Sequence, residues 1–262
     1  MRIVIKFAGA LLERPAETLY KSMARQVAEL AGQGHELLVV HGGGRTFTAM
    51  LGRLGIKSEF VGGLRVTDRE TRDVAVMILG GLLNKQLAAA VSAAGQPAVG
   101  VSAGDAACFL AKPLAQPAGL GFVGEPIGVN LEFLESLWKN GVVPVAASLA
   151  LGPGNEIYNI NADQMAAAAA EFLGARRLIY LTDVPGVLDG ENVVETLPCD
   201  QIAELVNSNR VSGGMVLKLE ACRRALKAGV NEVRIVGGGI PGSLLAAAAG
   251  MGPGTRVVAA AA

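Results

Sequence analysis

Three charged side chains and two glycine runs have the types and settings that handle anions. Lys6 ends the apolar run Ile3-Val4-Ile5, just before a turn predicted at Phe7-Ala8-Gly9-Ala10. A lysine there can point at a bound phosphate or stand as an ordinary edge charge. Gly42-Gly43-Gly44 follow Leu37-Leu38-Val39-Val40-His41. They precede a stretch, Arg45 to Leu54, in which Phe47, Met50, Leu51 and Leu54 recur at helical spacing. Strand, glycine turn and helix start, in that order, expose backbone N–H groups that have no partner inside the helix, with the helix dipole behind them. Without a Cβ the backbone can be approached closely. A plain strand-to-helix connection would read the same way. Ser212-Gly213-Gly214 opens a second such helix, with Lys218 one turn in. Asp163 lies between these pieces. Together they look like a site for a polyanion and would suit phosphoryl transfer, which is mostly positioning and neutralisation of charge on the moving group.

Other polar residues accompany this set. Arg65 sits in Gly62-Gly63-Leu64-Arg65-Val66-Thr67-Asp68, which should bend into a hairpin. It could clamp a carboxylate through two N–H groups or be a solvated hairpin arginine. In Tyr158-Asn159-Ile160-Asn161-Ala162-Asp163 apolar and polar residues alternate. An extended backbone would put Asn159, Asn161 and Asp163 on one side; Asn161 or Asp163 could equally be a helix N-cap. Thr182 to Val187 forms a polar turn after the apolar run Arg177 to Leu181. The carboxyl ends of strands are where open α/β sheets bind ligands.

The elements that must hold these residues alternate along the chain. Strands are predicted at Ile3–Ile5, Leu37–Val40, Ala98–Ser102, Val142–Ala147, Arg177–Leu181, Val233–Val236 and Thr255–Val258. Helices are predicted at Ala16–Ala31, Arg45–Leu54, from Asp68 to about Gly80, Asn84–Ala94, Leu131–Lys139, Gln164–Leu173, Gln201–Ser208, Ser212–Ala228 and Gly242–Ala249. Short strands are expected between Gly104 and Gly128. Alternation of this kind implies a mainly parallel sheet covered on both faces.

Composition narrows the function. The 262 residues carry 23 basic and 23 acidic side chains, so nothing points to a nucleic-acid or membrane surface. Cys108, Cys199 and Cys222 form no close pair and, with His35 and His41, no zinc pattern. No uninterrupted apolar run reaches membrane-spanning length. A cytoplasmic enzyme in a reducing compartment is the expectation. The sequence has no GxxxxGK[ST] run and no protein-kinase catalytic loop, and we expect neither of those sites nor a Rossmann one.

These pieces together resemble the amino acid kinase superfamily and, within it, the acetylglutamate kinases. The resemblance rests on Lys6 with Gly9, His41 to Gly44, Gly63 to Thr67, Gly80 to Lys85, Tyr158 to Asp163, Leu181 to Val187, and Gly213-Gly214-Met215 with Lys218. It implies a three-layer α/β/α sandwich with a mainly parallel central sheet. Residues 1–175 would bind the amino-acid substrate and dimerise, and residues 176–262 would bind ATP. The implied reaction moves a phosphoryl group from ATP to the side-chain carboxylate of N-acetyl-L-glutamate. Lys6, Lys218 and Asp163 would be catalytic, and Gly43, Gly44, Arg65 and Asn159 would hold the substrate. Gly9, Thr182, Asp183, Val184, Pro185, Gly186, Val187, Leu188, Arg210, Val211, Ser212 and Gly214 would line the nucleotide. Mg²⁺ would ride on its phosphates, with no metal ligand from the protein. The resemblance leaves room for a related carboxylate kinase, such as a carrier-linked aminoadipate kinase, or for an inactive nucleotide-binding regulator. Members inhibited by arginine carry an extra N-terminal helix that this sequence does not show, so an uninhibited homodimer is expected. Ala8-Gly9 replaces a frequent Gly-Gly, Ala103 stands where a glycine is common, and Gly237-Gly238-Gly239 replaces a more polar turn.

Overall fold

The computed structural model describes residues 1–12 and 17–260; the predicted helix start at Ala16 lies outside them. Eight strands form one sheet, in the spatial order Thr196–Pro198, Thr255–Val258, Glu232–Gly237, Arg177–Thr182, Arg2–Phe7, Glu36–His41, Val143–Ala147, Ala98–Val101. All neighbours are parallel except Glu232–Gly237 with Thr255–Val258. Strand Arg2–Phe7 is therefore in the middle of the sheet. Its residues alternate between two cores, as the period of two requires. Ile3, Ile5 and Phe7 face helices Glu17–Gly32, Asn84–Ala93 and Ser243–Ala248. Val4 faces helices Leu131–Lys139, Ala162–Phe172 and Gly214–Lys227. The expected three-layer sandwich results.

A second sheet of four strands, in the order Ile157–Asn159, Leu149–Leu151, Phe109–Pro113, Gly124–Val129, includes the strands expected between Gly104 and Gly128. The hairpin around Arg65 forms as Phe60–Val61 and Leu64–Arg65. Gly62 and Gly63 take positive φ of 57° and 78° at its turn, a backbone region that costs other residues energy.

Several predicted elements change. The first strand runs on to Phe7, and the expected turn is a one-turn helix, Gly9–Leu12, because Leu11 and Leu12 bury against the sheet. The helices around Gly80 and Asn84 are one rod from Arg69 to Ala93 with a π-helical stretch, Val76–Leu83. This rod is long and apolar enough to cross a bilayer by length and composition alone. However, Val74, Ile78, Leu79, Leu83 and Leu87 are core residues of the fold. The Ala-rich helix begins at Ala162, two residues before the prediction, so Asp163 is helical and not extended. A hairpin, Leu188–Asp189 with Asn192–Val193, carries no hydrophobic pattern that would have announced it.

Candidate active site

Strand alternation puts Lys6 on the face of Val4, beneath helices Ala162–Phe172 and Gly214–Lys227. In register beside it is Tyr180 of the neighbouring strand. The first helix presents Asp163 in its opening turn, and the second presents Lys218 one turn in. Ala166 to Ala170 are all buried, and their small side chains let helix, sheet and second helix approach closely. The result is a buried cluster. Lys6 Nζ lies 2.7 Å from Asp163 Oδ1. Lys218 Nζ donates to both Asp163 oxygens at 2.9 Å.

Two ammonium groups share one carboxylate, leaving a net positive charge in a place with little water. Burial alone would raise the Asp163 pKa, but the two ammonium groups reverse this and bring it to about 2. Burial pushes Lys6 down to about 8 against the pull of Asp163, with Lys218 adding repulsion. Tyr180, which sequence reasoning passed over, completes the cluster. Its hydroxyl donates to the Asp163 carbonyl at 3.0 Å. Its ring lies 4.8 Å from Lys218 Nζ, a cation–π contact. The available signal was a polar-tipped aromatic in an otherwise aliphatic buried strand.

From Lys6 and Asp163 a cavity of about 220 Å³ extends past Gly43, Gly44 and Asn159 to Arg65; Lys218 touches Asp163 but is not one of its lining residues. Helix Gly44–Arg53 starts at the glycine turn, so its first N–H groups have no intrahelical acceptor. Gly9 closes on the turn from the other side. A Cβ on Gly9 would lie 3.1 Å from Gly44 N and 3.2 Å from Gly43 N. The far end is built to hold a guanidinium. Arg65 stacks on the rings of Phe47 and Phe60 at 4.5 Å each. Its Nη2 donates to Thr48 Oγ1 at 2.7 Å and to the Gly44 carbonyl at 3.3 Å, and its Nη1 donates to Ser58 Oγ. Among the described residues Arg65 has no carboxylate partner, and burial lowers its pKa. A fixed, buried guanidinium facing a cavity suits a carboxylate ligand. Asn159 Nδ2 donates to Thr67 Oγ1 at 3.2 Å.

Asn161 also lines the cavity, yet its side-chain oxygen accepts from the N–H groups of Asp163 and Gln164. It is the N-cap of the helix that carries Asp163. The strand alternation that grouped Asn159, Asn161 and Asp163 therefore stops at Ile160. Asp163 reaches the site through the helix start.

Apart from Gly9, the residues expected around the nucleotide lie outside this cavity's walls. Thr182 ends the strand beside that of Lys6, and the turn to Leu188 leaves the same carboxyl edge of the sheet. The side chains of Val187 and Val211 pack into the core, so only their backbones can meet a ligand. The Val187 N–H is already given to Thr255 Oγ1 at 2.8 Å. Arg210 is paired with Asp189 at 3.0 Å and Glu204 at 2.9 Å. Ser212 is exposed, and Gly213 has a φ of 57° just before helix Gly214–Lys227.

Two runs do fit Gly-x-Gly-x-x-Gly, Gly119–Gly124 and Gly237–Gly242. The first belongs to the small sheet's connections. The second follows a strand and precedes a helix, but the next strand, Thr255–Val258, returns antiparallel. The parallel crossover of a dinucleotide fold is not there.

The amino acid kinase family pattern matches residues 1–237. The chain belongs to the amino acid kinase family. An acetylglutamate kinase of Koribacter versatilis is 54% identical, the match covering 90% of each chain. One of Acidobacterium capsulatum is 48% identical, again over 90% of each. Among solved structures, smu.665 of Streptococcus mutans superposes with a TM-score of 0.85 at 27% identity, over 98% of each chain. The matched range includes both the Gly42-Gly43-Gly44 turn and Lys218.

Proposed function

We infer that the protein transfers the γ-phosphoryl group of ATP to the side-chain carboxylate of N-acetyl-L-glutamate. The product is N-acetyl-L-glutamyl 5-phosphate, an acyl phosphate of arginine biosynthesis. The observation that carries this reading is the buried Lys6–Asp163–Lys218 cluster, whose Lys6 and Asp163 share a cavity with the Gly43-Gly44 turn, with an uncompensated Arg65 at the other end of the same cavity. Two cationic ends suit an acceptor with two carboxylates. Arg65 and Asn159 hold the α-carboxylate and acetamido end. The Gly43 and Gly44 N–H groups meet the acceptor carboxylate and the moving phosphoryl group. Lys6 and Lys218 neutralise charge from two sides, and Asp163 keeps them in place. The acceptor, with a pKa near ~4, is already ionised at neutral pH. No general base is needed, and Asp163 is free to serve as an orienting anion.

Residues 1–175 then supply the amino-acid side and residues 176–262 the nucleotide side. Both Asp163 oxygens are taken by lysines, Oδ1 by Lys6 and Lys218 and Oδ2 by Lys218. Among the described residues no group of three His, Cys, Asp or Glu could hold a metal. The donor set does not fit a protein-held Mg²⁺, so the ion would come on the nucleotide phosphates. A homodimer in the cytoplasm completes the reading. Met77 and Leu82, 63% and 44% exposed on the long rod, give it an apolar surface to cover.

Hydroxylamine trapping of acyl phosphate, with ATP, Mg²⁺ and a panel of acylated amino acids, tests the assignment. N-acetyl-L-glutamate should give the hydroxamate in highest yield. A preference for a longer carrier-linked acceptor would make this a related carboxylate kinase, and no hydroxamate from any acceptor would make it a regulator.

A further inference from the structure

His41 is fully buried, ends the strand that enters the glycine turn, and takes no part in the transfer described above. Its two ring nitrogens have different neighbours. Nδ1 lies 2.9 Å from the Gly42 carbonyl oxygen. Nε2 lies 3.1 Å from Asn84 Nδ2. Asn84 is also fully buried, and its orientation is settled by what surrounds it. Its Nδ2 faces the carbonyl of Val145 at 2.8 Å and that of Val101 at 3.4 Å. Carbonyls only accept, so the amide nitrogen must be on that side. Its Oδ1 accepts from Lys85 Nζ at 3.3 Å. An amide nitrogen cannot accept a hydrogen bond, so Asn84 offers nothing to a proton on Nε2, whereas Nδ1 faces a carbonyl that can only accept; the single proton of the neutral ring therefore sits on Nδ1. From there it is donated to the Gly42 carbonyl.

We propose that His41, held in its Nδ1–H form by Asn84, is a positioning residue that sets the peptide plane of the glycine turn. The Gly42 carbonyl and the Gly43 N–H belong to one planar trans peptide and point in opposite directions. Anchoring the carbonyl on the imidazole aims the N–H away from it. A glycine peptide has no side chain to limit its rotation, so without an anchor the donor would wander.

The surroundings are shaped for this pair. A Cβ at Gly100 would lie 2.0 Å from Asn84 Oδ1, and one at Gly43 would lie 2.1 Å from Leu83 Cδ1. Leu83 is the last residue of the π-helical stretch and Asn84 the next, so the widened turn delivers both neighbours of the glycine loop. Burial holds the His41 pKa down at about 4, so the ring stays neutral at working pH. A cationic ring would aim a second N–H at the Asn84 amide hydrogens.

The proposal rests on the glycine turn being the donor site of the transfer. Two substitutions separate its terms. Asparagine carries a donor at the position of Nδ1 but lacks the Nε2 acceptor; leucine carries neither. His41→Leu should lower kcat by about 100-fold with little change in the KM for ATP, as a misaimed oxyanion donor does. His41→Asn should recover most of that loss. Equal kcat in the two variants, or a loss confined to KM, overturns the proposal. A measurement on the unsubstituted protein stands apart from folding of the variants. The ¹⁵N spectrum of the His41 ring should show Nδ1 protonated and Nε2 bare from about pH 5 to 8; a protonated Nε2 overturns it. Activity of the unsubstituted protein judges the reading of the site, while the variant contrast and the tautomer judge the device.

Discussion

Lys6, Asp163 and Lys218 show what a residue's type tells and what its neighbours add. Buried lysines are costly unless paired, and here two of them share one partner. The surplus charge can be met by a polyphosphate. The ground state already has backbone donors sharing the phosphate charge, so a lysine should matter most while the phosphoryl group moves. We expect Lys218→Ala to lower kcat on the order of 100- to 1000-fold while the KM for ATP changes little. Steady-state kinetics with ATP varied would show it, and a near-normal kcat would remove the two-lysine mechanism. The depressed Lys6 pKa gives a second expectation. Lys6 loses its proton as pH rises through about 8, and the cluster then loses its net charge. The kcat/KM for ATP, which reports the free enzyme, should fall above that pH. Lys6→Arg, charged throughout, should abolish the alkaline limb whatever its absolute rate. A limb unchanged in Lys6→Arg would assign it to another group.

Elements decide where those residues meet. The hairpin Phe60–Arg65 owes its turn to Gly62 and Gly63, and a Cβ on Gly63 would lie 3.1 Å from Leu217 Cδ1. Gly63→Ala should cost about 1–2 kcal/mol of local stability for a positive φ without glycine. It should also raise the KM for the amino acid several-fold and leave the KM for ATP alone. Arg65→Ala should raise the same KM roughly 30-fold or more, the loss of a charge-assisted clamp. An unchanged amino-acid KM in Arg65→Ala would rule the clamp out.

These elements were legible to different degrees. The strands around Lys6 and His41, the hairpin, and both glycine-rich helix starts show themselves through hydrophobic period and glycine placement, which are local. Asn161 was ambiguous because one residue type both caps helices and binds ligands; only the position of the helix start decides. Tyr180 and Asn84 carry only faint sequence signals, a polar-tipped aromatic in an aliphatic strand and a place in the Gly80 to Lys85 piece, and their partners, Asp163 and Lys218 for the one and His41 and Val145 for the other, are set by the fold. The π-helical stretch leaves an apolar run of ordinary helical appearance, so nothing in Val76–Leu83 announces the changed pitch.

At the scale of the molecule, the apolar cluster of Leu64, Leu120 and Val123 receives Leu217, the residue before Lys218. The hairpin that carries Arg65 and the helix that carries Lys218 thus rest on one another. The proposed division of labour at residue 175 is consequently no boundary in packing, because the strand Arg177–Thr182 is bonded directly to Arg2–Phe7. A fragment of residues 1–175 should neither remain monodisperse nor acquire activity, and size-exclusion chromatography with the hydroxamate assay would check both. A soluble, compact fragment would mean that the substrate side folds alone.

The central place of the first strand also bears on biosynthesis. As the chain leaves the ribosome, Arg2–Phe7 can pair with Glu36–His41 almost at once. Its other edge has no mate until Arg177–Thr182 emerges, and Ile3, Val4, Ile5 and Phe7 make the strand apolar on both faces. An apolar strand with an open edge is a template for wrong pairing. Lys6 and Lys218 meet only after helix Gly214–Lys227 has also emerged, so the nascent chain stays catalytically silent while that edge is exposed. The interval is a hazard set by topology, and slower translation would lengthen it.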